Sequence, residues 1–225
     1  ARIVLEGGAD WVDIKEPSRG ALGAVEPEII AEIVRWLTDV EPTVPHSATI
    51  GDHWEDFADL YQRVETVSDT GVDFIKIGMY ANDMNEELIA TLRRCIARHA
   101  NIIALCYAEG VPSEPALEKI ANSGVNGIML DTLIKGDGGL REKVSDEGLQ
   151  HFVSFAKRHD LTCGLAGSLR IEDIQALSKF EPDYLGFRSA LSVSHKRENT
   201  IENARVVAVK HALQASYSDS VLEQS

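Results

Sequence analysis

Seven short apolar runs recur along the chain at fairly even intervals, separated by segments in which apolar residues repeat every three or four positions. The runs are Trp11–Lys15, Ser47–Gly51, Phe74–Gly78, Ile102–Tyr107, Gly127–Asp131, Thr162–Ala166 and Tyr184–Arg188. Continuous apolar strands alternating with helices imply a parallel sheet covered on both faces. The helical period is clearest in Pro27–Leu37, where Ile29, Ile30, Ile33, Val34 and Leu37 form one stripe. Trp54–Thr70, Glu86–His99, Pro115–Ser123, Asp146–His159 and Ile171–Lys179 read the same way. Gly7-Gly8, Thr70-Gly71, Ser123-Gly124 and Glu181-Pro182 each end a helix just before the next strand. Arg2–Glu6 reads as the end of a helix, so a βα unit is expected to begin upstream of Ala1. Seven visible strands and that one favour an α/β fold of the (β/α)8 TIM-barrel type, its first strand upstream of residue 1. An open seven-stranded sheet is the alternative. A single domain is expected over residues 1–215, with a polar tail at 216–225 that frays.

A chain of 225 residues fits one such barrel. The net charge of −14 argues against a nucleic-acid footprint, which needs a basic patch. It leaves small anionic substrates open, because local cations can outweigh the global field. No run approaches the roughly 18 apolar residues of a membrane span, and no signal-peptide pattern is visible. A cytoplasmic protein with no membrane partner is expected. Cys95, Cys106 and Cys163 form no CxxC pair or zinc spacing and read as buried small hydrophobes in a reducing compartment. The seven histidines form no HxH or HExxH pattern. His46 and His53 flank the second run and could line the mouth, although a surface role is favoured. No GxGxxG follows a strand and no GxSxG elbow is present. Neither a metal nor a cofactor is expected.

Against this apolar background two lysines stand out, Lys15 in Trp11-Val-Asp-Ile-Lys15 and Lys76 in Phe74-Ile-Lys-Ile-Gly78. A lysine is almost never fully buried unless paired or functional. Desolvation lowers an amine's pKa and makes it a usable nucleophile or base. Asp13 lies two residues before Lys15, so both point to one face, opposite Val12 and Ile14. A salt bridge and a tuned Schiff-base lysine are equally open readings of that pair. Asp131 ends the fifth run, and Lys135 follows in the loop Lys135-Gly-Asp-Gly-Gly139. In isolation Asp131 could be a helix N-cap and Lys135 merely solvated. The loop Ser18-Arg-Gly-Ala-Leu-Gly23 could fold over a ligand or serve as a turn. In a barrel these strand ends form the active-site face, so they suggest imine or proton-transfer chemistry on a carbonyl. The loops after the sixth and seventh runs carry Gly167-Ser168 and Arg188-Ser189. In the completed barrel they follow strands 7 and 8, where phosphate is frequently bound. Backbone N–H groups beside glycine can approach an anion, and Arg188 can add a bidentate contact.

These residues resemble one family. Gly8-Ala-Asp-Trp-Val-Asp-Ile-Lys-Glu-Pro-Ser-Arg-Gly-Ala-Leu-Gly23 is similar to the opening motif of the (5-formylfuran-3-yl)methyl phosphate synthases of methanofuran biosynthesis. Ser47-Ala-Thr-Ile-Gly-Asp52, Phe74-Ile-Lys-Ile-Gly78, Met129-Leu-Asp-Thr-Leu-Ile-Lys135 and Leu165-Ala-Gly-Ser-Leu169 continue the likeness in order. The resemblance implies a (β/α)8 barrel lyase without a cofactor. It would condense two molecules of glyceraldehyde 3-phosphate, with loss of phosphate and water, to a phosphorylated furan aldehyde. Lys15 would then be the Schiff-base lysine and Lys76 the proton-transfer lysine, with Asp13, Asp131 and Lys135 completing the site. Gly167, Ser168, Arg188 and Ser189 would hold phosphate. A homo-oligomer is expected, since barrels of this type often associate. Two other readings stay open: a Schiff-base aldolase for a phosphorylated sugar, and a catalytically silent barrel that binds phosphosugars.

Overall fold

The computed structural model describes residues 1–80, 84–134, 137–192 and 199–223, with side chains as far as Ser216. Lys135, one of the expected site residues, lies outside the described residues. A short helix α1 (Arg2–Glu6) leads into β1 (Val12–Ile14). Six further strands follow: β2 (His46–Thr49), β3 (Phe74–Met79), β4 (Ile102–Tyr107), β5 (Gly127–Asp131), β6 (Thr162–Leu165) and β7 (Tyr184–Leu185). All pair in parallel in the order of the chain. Between them lie α2 (Pro27–Val40), α3 (Phe57–Ser68), α4 (Glu86–Ile96), α5 (Glu114–Asn122), α6 (Leu140–Lys143), α7 (Asp146–Arg158) and α8 (Ile174–Ser178). The last helix, α9 (Asn203–Glu223), takes in most of the segment expected as a polar tail.

The helices begin where local chemistry asks them to. Asp56, Asn85 and Ser145 accept backbone N–H bonds from Asp59, Leu88 and Gly148 at the starts of α3, α4 and α7. Pro27 opens α2, where a missing N–H costs nothing.

The sheet is rolled. β3 and β7 stand four places apart in the strand order, about 19 Å in a flat sheet. Yet the Lys76 ammonium lies 5.9 Å from the centre of the Tyr184 ring. Trp11, at the start of β1, stacks on Tyr184 of β7 with ring centres 5.0 Å apart. The two edges of the sheet therefore face each other, as a (β/α)8 barrel requires. The open flat sheet is not the architecture.

Rolling creates two cores. Outside the sheet, Ile102, Ala104 and Cys106 of β4 pack with the helices in one large cluster. Inside, Ile103, Leu105 and Tyr107 of the same strand join Leu22, Met129 and Ala166 in a luminal cluster. Each strand thus buries both faces, which is why the runs are continuously apolar. Cys95, Cys106 and Cys163 all lie in the outer cluster, away from the lumen. Burial holds each of these thiols above its ordinary pKa, Cys106 and Cys163 at about 12, so they stay protonated. Among the described residues no helix is long and apolar enough to cross a membrane.

Candidate active site

β1 alternates across the sheet. Val12 and Ile14 are buried in the outer cluster, so Trp11, Asp13 and Lys15 face the lumen. β3 repeats the pattern: Ile75 and Ile77 point outward and Lys76 inward, where it is buried. The two lysines meet on one carboxylate. Lys76 Nζ lies 3.0 Å from Asp13 Oδ1, and Lys15 Nζ lies 3.7 Å from Asp13 Oδ2. Three of the expected residues, from two strands that are not neighbours, are therefore one cluster.

Two residues not expected from the sequence complete it. Ser47 pairs in register with Asp13, and its hydroxyl lies 2.7 Å from Asp13 Oδ1. The indole N–H of Trp11 donates to the same hydroxyl at 3.0 Å. Indole is a donor only, so Ser47 accepts from Trp11 and must point its own proton at Asp13. Burial pushes the Asp13 carboxyl up. The charges of Lys76 and Lys15, with hydrogen bonds from Ser47 and Lys76, outweigh it and bring the pKa down to about 2. Asp13 is thus a fixed anion and the counter-ion of both amines. The signal for Ser47 was present, a polar residue on the inward parity of β2, but its register against Asp13 is a tertiary fact.

Below the amines the floor is aromatic. Trp11 packs between Phe74 and Tyr184, with ring centres 4.8 and 5.0 Å away. Gly164 makes room for Tyr184: a Cβ there would lie 2.2 Å from the phenol ring. Above, the loop after β1 forms part of a roof. Thr49 Oγ1 donates to the carbonyls of Leu22 and Gly23, and Leu22 N–H donates to Asp52 at 2.7 Å. Leu22 is thereby pressed into the luminal cluster. Arg19 of that loop pairs with Glu26 at 2.9 Å at an exposed position.

Asp131 ends β5, buried, and accepts the Thr132 N–H at 2.7 Å. Burial, then Asp13 and more weakly Cys163, Asp183 and Asp131, push up the pKa of the Tyr184 phenol. Gly167 takes a positive φ of 114° and packs against Thr132, where a Cβ would come within 2.8 Å. Ser168 follows at φ 52°, a left-handed conformation unusual for a residue with a side chain. The Arg188 guanidinium donates to Ser192 and to the Asn199 carbonyl, and its charge reaches Glu16 of the β1 loop. Ser189 accepts the Ser192 N–H through its carbonyl. His46 sits at the opposite end from the mouth: it starts β2, is buried, and its ring accepts the Asp73 N–H at 3.1 Å. His53 is at the mouth end, stacked 6.3 Å from Tyr80 beside a cavity of about 620 Å³. Among the described residues no group of three or more His, Cys, Asp or Glu is placed to hold a metal ion.

Comparison with known proteins gives a concordant picture. A family model described as 4-HFC-P synthase matches residues 1–210. A Methylorubrum extorquens relative is 35% identical, covering 96% of this chain and 87% of its own. A Methanopyrus kandleri protein named (5-formylfuran-3-yl)methyl phosphate synthase is 32% identical over 83% of this chain and 82% of its own. Among solved structures, 3-hexulose-6-phosphate synthase from Salmonella typhimurium matches with TM-score 0.64 at 14% identity, over 94% of this chain and 90% of that one. Phosphoribosyl anthranilate isomerase from Thermus thermophilus also gives 0.64 at 14% identity, over 95% and 92%. At such identities these two likenesses speak for the barrel fold alone.

Proposed function

As the chain belongs to the 4-HFC-P synthase family, we propose that it is a lyase making (5-formylfuran-3-yl)methyl phosphate from two molecules of glyceraldehyde 3-phosphate, through a Schiff base on Lys15. The observation that carries this reading is the meeting of Lys15 and Lys76 on the two oxygens of Asp13, in a lumen that also holds Ser47, Asp131 and a cluster of apolar and aromatic side chains. A free amine there can attack an aldehyde carbon, and loss of water leaves an imine. Protonated, the imine is an electron sink for the bond to a neighbouring hydrogen. Lys76, across the same carboxylate, can take that proton or give one to a departing oxygen. The enamine so formed expels phosphate or attacks the second aldehyde, and further loss of water makes the ring aromatic. Asp13 holds the charges of both amines and stays ionised throughout. Proton traffic is left to Lys76, Asp131 and Lys135. Gly167, Ser168, Arg188 and Ser189 supply the phosphate contacts in this reading.

Borohydride trapping tests the lysine assignment. Lys15→Ala should give no reducible adduct with glyceraldehyde 3-phosphate and no turnover. Lys76→Met should still give the adduct while kcat falls on the order of 10²-fold or more. Full adduct yield from Lys15→Ala would take the Schiff base away from Lys15. A product with the mass of an aldol and no phosphate release would favour an aldolase instead.

A further inference from the structure

Tyr107 ends β4 on the luminal face, in register with Asp131 of β5. It is 3% exposed, and its hydroxyl makes no hydrogen bond among the described residues. Its ring lies against Tyr80, with ring centres 4.8 Å apart. The hydroxyl reaches across to β3 and sits over Gly78, where a Cβ would be 2.4 Å from the phenol oxygen. Gly78 shares the inward face of Lys76 and stands two residues nearer the mouth, about 7 Å along the strand. Only the missing side chain at Gly78 lets the phenol take that place.

A buried hydroxyl without a partner is a standing cost to the fold, and packing does not require it, since phenylalanine would fill the same space. Burial raises the pKa of the phenol, so it is a donor at any ordinary pH. The neighbouring Tyr80 hydroxyl is turned toward the Asp52 carbonyl, 3.5 Å away. In the Schiff-base reading the imine holds the first triose covalently, and the second, entering from the mouth, needs a donor for its carbonyl oxygen.

We propose that Tyr107 is a substrate-binding residue whose hydroxyl donates a hydrogen bond to the carbonyl oxygen of the second triose, the one attacked by the enamine. The inference rests on the Schiff-base reading above and extends it to the acceptor subsite.

Tyr107→Phe tests it. The melting temperature should be unchanged or higher, because no hydrogen bond is lost. The borohydride adduct with glyceraldehyde 3-phosphate should form at wild-type yield. Furan formation should fall on the order of 10²-fold, with the triose concentration for half-maximal rate raised. Wild-type turnover by the variant would overturn the inference alone. So would lost activity together with a lowered melting temperature, which would make the hydroxyl structural. A wild-type protein that traps no adduct would overturn the Schiff-base reading and the inference with it.

Discussion

At the scale of single residues, the site turns on one carboxylate. The Asp13 pKa lies at about 2 in the folded protein against 3.8 ordinarily. A depressed carboxylate stabilises the fold above its ordinary pKa, and that stability is lost as pH falls from about 3.8 to about 2. Its size is on the order of 2 kcal/mol at neutral pH. Asp13→Asn should therefore be less stable than the wild type at pH 7, with the gap closing below about pH 4. Thermal midpoints measured across pH 2–7 check this, and a gap independent of pH would contradict it. Ser47→Ala removes one of the bonds that lower the carboxyl, so the acid limb of the pH–rate profile should move to higher pH. Ser47→Thr should restore it. Trp11→Phe keeps the ring contacts and removes only the N–H, and should shift the limb the same way by less. Asp13, Lys15 and Lys76 were legible in the sequence because a charge inside an apolar run is expensive and invites a reason. Ser47 and Tyr107 were not, since a serine or a tyrosine in a strand is ordinary until its register is known.

At the scale of elements, all seven strands were readable, because a parallel strand buried on both faces leaves an unbroken apolar run. Their ends were less so. Tyr184–Arg188 yields a strand of only Tyr184 and Leu185, although the Gly186 N–H still donates to the Leu165 carbonyl at 2.8 Å. The helix Asn203–Glu223 has a weak sequence signal: Val206 and Val209 are its buried contacts, and its second half is serine-rich. Glycines in the strands act by absence. Gly164 accepts the Tyr184 ring, and Gly164→Ala would force a Cβ to within 2.2 Å of it. The substitution should cost roughly 1–3 kcal/mol of stability by overpacking. It should also tilt the floor beneath Lys76. A denaturant midpoint checks the first effect, and the adduct yield the second.

At the scale of the whole molecule, rolling the sheet turns local pattern into a site. β1 and β3 are separated by β2, and β3 and β7 by three strands, yet Asp13, Lys76 and Tyr184 meet. No periodicity along the chain encodes that meeting. It follows from the curling of the sheet, which the ring contacts display. The chain carries a net charge of −14 while its proposed substrate is a dianion. In the proposed reading Lys15, Lys76 and Arg188 supply the local cations, against the carboxylates of Asp13 and Asp131. The measurement that tests this account most directly is incubation of the protein with glyceraldehyde 3-phosphate alone, following phosphate release and product mass together, beside Lys15→Ala. Phosphate release with the mass of (5-formylfuran-3-yl)methyl phosphate, abolished by the substitution, is the predicted result. An aldol mass without phosphate release, or the furan product made equally well by Lys15→Ala, would contradict it.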